Sequence, residues 1–270
     1  MSGLLAAGRR ALTRLAVLAL VLVVSVPASA TDLATVLERG ELVVLTSPHE
    51  GSVFSREVSS GEYEGFDHEL MKAFANYLKV DLRIQKVAEF DELIPRLLAG
   101  EGDLIASSFS ITDARRTLVD YSIPYFPVVV RVVTLKDSQL TSLESLRGKT
   151  GAVVPGSSLE EKMRAIPDVS IRYVDQYDEI YWVVEEGEAD FAFADSTSAL
   201  HQLDVHPELH PSFDLPGKDY YGYAMTPGST LKPALDEFLY LMDRSALLLD
   251  IVGNVLGNKG IELFLIADRL

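Results

Sequence analysis

A short unit of helix, glycine turn and strand occurs twice in this chain, 87 residues apart, and that duplication constrains the fold more than any other feature. The first copy reads Phe90-Asp91-Glu92-Leu93-Ile94, then Gly100-Glu101-Gly102-Asp103 and a strand, Leu104-Ile105-Ala106. The second reads Tyr177-Asp178-Glu179-Ile180-Tyr181, then Gly187-Glu188-Ala189-Asp190 and a strand, Phe191-Ala192-Phe193. No gap is needed, and five of these twelve aligned pairs are identical. Two such units imply an α/β chain with two similar halves. Just past the strands the same offset pairs Ser108 with Asp195. Open α/β sheets bind ligands beyond the carboxyl ends of their strands. Two facing units would present Ser107, Ser108 and Ser110 on one wall and Asp195 on the other.

The N-terminus is expected to be a targeting segment. Arg9, Arg10 and Arg14 precede an apolar run, Leu15 to Val26, that is short for a membrane span, and Ala28-Ser29-Ala30 fits a small-residue cleavage site. Removing residues 1–30 as a signal peptide would leave 240 of the 270 residues. Because that segment carries three arginines and no acids, the 24 basic and 40 acidic residues of the whole become 21 against 40, a formal −19. Such charge argues against nucleic acid and anionic membranes as partners. The chain has no cysteine, which excludes disulfides, thiol catalysis, cysteine metal sites and a lipid-modified cysteine at the cleavage point. A soluble periplasmic protein, cleaved from its signal peptide, is the expectation.

Short apolar runs alternate with amphipathic helical patterns along the rest. Strands are predicted at residues 42–45, 82–87, 104–106, 128–135, 151–154, 171–174, 191–194 and 221–225. Phe66, Leu70, Met71, Phe74 and Leu78 mark the core face of one helix, and another is predicted over 232–245. The β-branched run Val128 to Thr134 and the aromatic run Tyr220-Tyr221-Gly222-Tyr223-Ala224 read as two crossings between lobes. One lobe would then comprise residues 31–130 and 221–270, the other 135–218, with a hinge of two strands and a cleft between them. The stretch from Gly257 to Leu270 is apolar without evident partners.

Three places in that cleft carry binding chemistry. Arg115 follows the first repeat strand, and its planar fork of donors matches a carboxylate, although a surface pair with Asp113 or Asp120 is the plainer role. Asp195 ends an apolar strand before Ser196-Thr197-Ser198, where it either caps the next helix or anchors a ligand. In Pro155-Gly156-Ser157-Ser158-Leu159-Glu160-Glu161, both Ser157 with Glu160 and Ser158 with Glu161 fit a capping box, and free N–H groups there also suit an anion. Phe90, at the start of the first repeat helix, either flanks a ligand or belongs to the core.

Taken together, these residues resemble the bacterial extracellular solute-binding proteins of family 3, the polar amino-acid receptors of ABC transporters. The resemblance includes Gly65-Phe66-Asp67, Gly100-Glu101-Gly102-Asp103, Ser110-Ile111-Thr112 with Arg115, and Tyr121-Ser122-Ile123-Pro124-Tyr125, in that order. It implies a two-lobed periplasmic binding fold of type II with two hinge strands. It implies that Arg115 clamps a ligand α-carboxylate with the N–H of Ser158. Asp195 would take the α-ammonium with the Ser110 hydroxyl and the Ser108 carbonyl, and Phe90 would form an apolar wall. The implied partners are a small amino-acid-like ligand and an inner-membrane permease, for a monomer with no cofactor and no enzymatic activity. The chain departs from the family after its first strand, where an aromatic residue usually stacks on the ligand. Here that segment is Ser47-Pro48-His49-Glu50-Gly51-Ser52-Val53-Phe54, and His49 and Glu50 make it more polar.

A second resemblance runs through Ala194-Asp195-Ser196, His206-Pro207-Glu208-Leu209 and the helix after Gly65. These look similar to the N-terminal sensor domain of membrane-bound lytic transglycosylase F, in which a catalytic domain follows. A stand-alone sensor of cell-wall fragments is therefore one alternative. A cyclohexadienyl-dehydratase-like enzyme on the same fold is another, with Glu50 as the nameable general acid. Glu144-Ser145 is similar to the transglycosylase catalytic pair but lies in a loop typical of binding proteins. The five histidines show no metal spacing.

Overall fold

A computed structural model describes residues 32–49 and 52–269. The expected signal peptide and Glu50 lie outside the described residues.

Two five-stranded sheets form two lobes. The first runs in the order Asp81–Lys86, Glu41–Thr46, Leu104–Ile105, Ala224–Met225, Asp120–Tyr121. The second runs Ser170–Tyr173, Thr150–Val153, Phe191–Asp195, Val130–Leu135, Leu209–Asp214. In each, the first three strands are parallel and the fourth is antiparallel. The two halves therefore share one topology, with the strand of the duplicated unit third in both.

The duplication is also visible atom by atom. Gly100 and Gly187 hold φ of 77° and 76°, the left-handed turn that glycine adopts without a Cβ penalty. The N–H of Asp103 donates to the Val43 carbonyl at 2.8 Å and its carboxylate accepts from the Val43 N–H at 2.7 Å. Asp190 makes the same pair of bonds to Thr150, both at 2.8 Å. Each aspartate thus fastens the repeat strand to the second strand of its sheet, a structural role that explains why the residue recurs.

The lobes are joined by an antiparallel ribbon of Phe126–Val128 and Asp219–Tyr221. Most of the β-branched run read as a crossing is instead an inner strand of the second sheet, Val130–Leu135, and the crossing itself lies a few residues earlier. A hairpin, Arg56–Ser59 with Glu62–Glu64, and strands Asp120–Tyr121 and Leu209–Asp214 carried too weak an apolar alternation to be expected.

The helix Phe66–Leu78 buries Phe66, Leu70, Met71 and Phe74 fully against the first sheet. Its preceding residue, Gly65, has φ 124°, and a Cβ there would meet the Phe54 carbonyl oxygen at 2.5 Å, so a side chain is excluded. The helix Leu231–Arg244 packs on the same core through Leu231, Leu235 and Leu239. The helical segment Leu247–Arg269 is broken at Gly257, with φ 67°. Leu248, Val252 and Leu256 before the break are buried in that core, and the Phe264 ring meets Phe126 of the ribbon at 5.1 Å. Phe264, with Ile261, thus gives the stretch from Gly257 partners that the sequence left unassigned. Among the described residues, no helix is long and apolar enough to cross a membrane.

Candidate functional site

Both repeat strands end at the same cleft between the lobes. Phe90, Ser108, Ser110, Arg115, Ser158 and Asp195, the six positions singled out in the sequence, all line one cavity there. Ser107 does not; it is buried, and its hydroxyl accepts from the Ser47 N–H at 3.1 Å.

Arg115 sits on a single helical turn, Asp113–Arg116, capped by the Thr112 hydroxyl. Its guanidinium donates to the Ser110 carbonyl at 2.9 Å and, across the cleft, to the Gly156 carbonyl at 3.0 Å. It lies 3.9 Å above the centre of the Phe109 ring, a favourable seat for a cation. Only 8% of the residue is exposed, and among the described residues it makes no ion pair; neither Asp113 nor Asp120 reaches it. A shielded cation without an anion is expensive, and carbonyl dipoles offset only part of that cost.

Asp195 is the mirror case. It stands where a helix cap would, before Ser196–Val205, but its side chain does not cap the helix. The Tyr221 hydroxyl, from the hinge ribbon, donates to one oxygen, while Oδ1 is buried with no partner among the described residues. The residue keeps some exposed surface, but the protein packed around the carboxylate governs its titration. Burial pushes its pKa up to about 6, against the Tyr221 hydrogen bond, which steadies the charged form.

Ser108 adopts a left-handed backbone, φ 42°, rare for a serine. Its N–H donates to the Asp67 carboxylate at 2.7 Å, which holds the strained turn in place. The other Asp67 oxygen accepts from the hydroxyls of Tyr125 at 2.6 Å and Tyr223 at 3.1 Å. Burial raises the Asp67 pKa to about 6 despite these three donors. The Gly65-Phe66-Asp67 motif is therefore a buttress behind the site. Ser110 is fixed by a bridge to Tyr221, and its carbonyl accepts from both Arg115 and the Tyr121 hydroxyl at 3.0 Å.

On the opposite wall, Ser157 caps the helix Ser158–Arg164 by accepting from the Glu160 N–H at 3.1 Å. Glu160 reaches back to the Gly156 N–H at 2.7 Å, one residue beyond a regular capping box. Ser158 is thus the first helical residue and faces the cavity.

Other contacts close the cleft besides that of Arg115. The rings of Phe90 and Tyr177 meet edge to face at 5.4 Å. His49 Nδ1 lies 3.0 Å from Asp178 Oδ1, which also accepts from Gln202 at 3.1 Å. Gly156 packs so tightly on Asp91 that a Cβ would stand 2.5 Å from the Asp91 Cβ. The closed cleft leaves about 30 Å³ open to water-sized molecules. That is room for one or two waters, so any amino acid enters only as the lobes part.

Phe54 both lines the cavity and packs edge to face on Phe66, Phe126 and Tyr221. It sits beneath the site as part of its floor. Tyr177, Tyr221 and Asp178 went unremarked as site residues in the sequence. The 87-residue offset pairs Tyr177 with Phe90 and Asp178 with Asp91, so a signal existed for two of them. Tyr221 was hidden in a run read only as a hinge. Glu144 is exposed and bonded to Arg147, away from the cavity. No cluster of potential metal ligands occurs among the described residues.

Comparison with known proteins gives this geometry a context. Residues 42–252 match the sequence profile of the bacterial extracellular solute-binding proteins, family 3. Membrane-bound lytic murein transglycosylase F of Maricaulis maris is 33% identical over 199 residues, covering 71% of this chain and 43% of that protein. The chain thus spans less than half the length of that relative. The amino-acid-binding protein AabA of Dichelobacter nodosus is 29% identical over 191 residues, 68% of this chain and 76% of its own. Among solved structures, the ancestral amino acid-binding protein AncCDT-1, a precursor of cyclohexadienyl dehydratase, aligns with a TM-score of 0.76 at 26% identity, over 83% of this chain and 99% of that one.

Proposed function

Because the chain belongs to the bacterial extracellular solute-binding proteins of family 3, we propose that it is a periplasmic receptor that captures an amino acid, or a small amino-acid-like ligand, between its lobes and passes it to an inner-membrane ABC permease. One observation carries this reading. A guanidinium and a carboxylate line the same cavity, and among the described residues neither has a counter-ion. A zwitterion satisfies both at once.

In this reading Arg115 clamps the α-carboxylate, aided by the N–H of Ser158. Asp195 takes the α-ammonium through its free Oδ1, aided by the Ser110 hydroxyl and the Ser108 carbonyl. Phe90 and Tyr177 flank the ligand. The lobes are residues 31–130 with 221–270 and residues 135–218, except that the strand Val130–Leu135 belongs with the second, and they turn about the ribbon. The protein acts as a monomer, without catalysis or a cofactor.

The likeness to transglycosylase F over 71% of the chain favours a second reading, a sensor of cell-wall fragments that uses the same two charges. A thermal-shift screen over amino acids, muropeptides, prephenate and arogenate separates the readings. A ligand at 100 times its dissociation constant stabilises by about 2.7 kcal/mol. A shift with amino acids supports the receptor, a shift only with muropeptides the sensor. Turnover of prephenate or arogenate overturns both.

A further inference from the structure

Outside the inner cavity lie two grooves of about 550 Å³ and 510 Å³. Ser52, Val53, Arg56 and His201 line both. Ser52 and Val53 also line the inner cavity, so the three spaces meet at one wall. The grooves therefore border the site that holds Arg115 and Asp195 across the Ser52-Val53 segment. They far exceed the 30 Å³ within.

Their chemistry is mixed. Ile251 and Val255 supply apolar surface to one, and Trp182, 51% exposed, supplies an indole to the other. Glu64, Glu69 and Asp178 line them together with Arg56, which is already paired with Glu64. An anionic occupant would meet excess negative charge; a neutral or basic one would not. His201 Nε2 is buried and has no partner among the described residues, a polar atom in want of one.

Resting on the receptor reading, we infer that the site selects amino acids with free α-amino and α-carboxyl groups whose side chain is prolonged by a neutral or basic polar group that passes Ser52 and Val53 into these grooves. The logic is one of attachment. Arg115 and Asp195 consume both α-groups of one residue. An α-linked peptide turns one of those charges into an amide and forfeits its partner. Extension through the side chain keeps both, and the grooves supply the space.

Two isomers of one composition test this. In Nε-alanyl-lysine the lysine α-groups stay free, and in Nα-alanyl-lysine its α-amine is an amide. Calorimetry on the intact chain should show the Nε isomer binding more than about tenfold tighter than the Nα isomer, with L-alanine and L-lysine measured alongside. His201→Ala and, as a second variant at an exposed position, Trp182→Ala should each weaken the Nε isomer several-fold and leave L-alanine unchanged. Equal affinity for the two isomers overturns the inference, as does a Nε isomer insensitive to both substitutions. If the free amino acids bind and the Nε isomer does not, the inference fails and the receptor reading stands. If neither the free amino acids nor either isomer binds, the receptor reading falls and takes the inference with it.

Discussion

Phe90 and Tyr177, equivalent residues of the two copies of the repeat, meet edge to face across the cleft with ring centroids 5.4 Å apart. The repeat thus supplies both jaws of the aromatic gate from equivalent positions. The charges, by contrast, differ between the halves: Arg115 belongs to one lobe and Asp195 to the other. Symmetry builds the gate and asymmetry gives the site its polarity.

Asp195→Asn keeps size and removes charge. The side chain does not cap its helix, so the melting temperature should hold or rise at neutral pH, where the shielded carboxylate is ionised. Affinity for an α-amino ligand should fall by about 2–5 kcal/mol, and that for the matching deaminated acid much less. Calorimetry with wild type and variant against both ligands isolates the coupling. Equal losses for both ligands would remove Asp195 as the ammonium site.

Affinity should also depend on acidity. An ammonium needs Asp195 ionised, and burial raises its pKa to about 6. Below that value the free protein carries a proton that must leave on binding. Affinity should be flat above about pH 7 and fall roughly tenfold per unit in more acid solution. Tyr221→Phe deletes the hydroxyl that steadies the charged form, so the midpoint should move upward. A midpoint that stays put in the variant would uncouple Tyr221 from the titration.

Arg115→Lys retains charge but loses the fork. A lysine ammonium cannot bond the Ser110 and Gly156 carbonyls and still present a planar pair of donors to a carboxylate. Affinity should drop by at least about 1.4 kcal/mol, tenfold, and Arg115→Ala should lose more. Equilibrium binding that is unchanged in the lysine variant would make Arg115 a lobe-closing strut only.

Gly156→Ala should keep the lobes from closing. A Cβ there would stand 2.5 Å from the Asp91 Cβ of the facing lobe, a clash that vanishes on opening. Gly187→Ala is the control: its φ of 76° is strained for alanine in the same way, but nothing lies within 4 Å of its Cβ. Both variants should lose about 1 kcal/mol or more of stability. Only Gly156→Ala should weaken binding and give a larger radius of gyration with saturating ligand. Equal compaction in the two variants would show that the Pro155-Gly156 turn does not limit closure.

Much of this was readable in the residues because the fold repeats itself. A helix stripe such as Phe66, Leu70, Met71, Phe74 reports its buried face through spacing alone, and Asp103 and Asp190 recur because each ties down the same strand. The crossing was misplaced because an apolar β-branched run looks alike whether it bridges lobes or fills the middle of a sheet. The fate of Asp195 was open for another reason. A carboxylate before a helix is chemically suited to cap it, and only the approach of Tyr221, 26 residues away, turns it toward the cleft. Asp67 joins Ser108 to Tyr125 and Tyr223, contacts that no local pattern encodes.

The fourth strand of the first sheet, Ala224–Met225, lies between strands made more than a hundred residues earlier, whereas every strand of the second sheet falls within 130–214. A chain emerging N-terminus first would therefore have the whole of its second sheet in hand while the first still lacked its inner seam. The lobe begun first is the lobe finished last. Until that late strand arrives, Leu104–Ile105 and Asp120–Tyr121 have no neighbour to join them, and the Arg115 side of the cleft has no finished wall on which to stand.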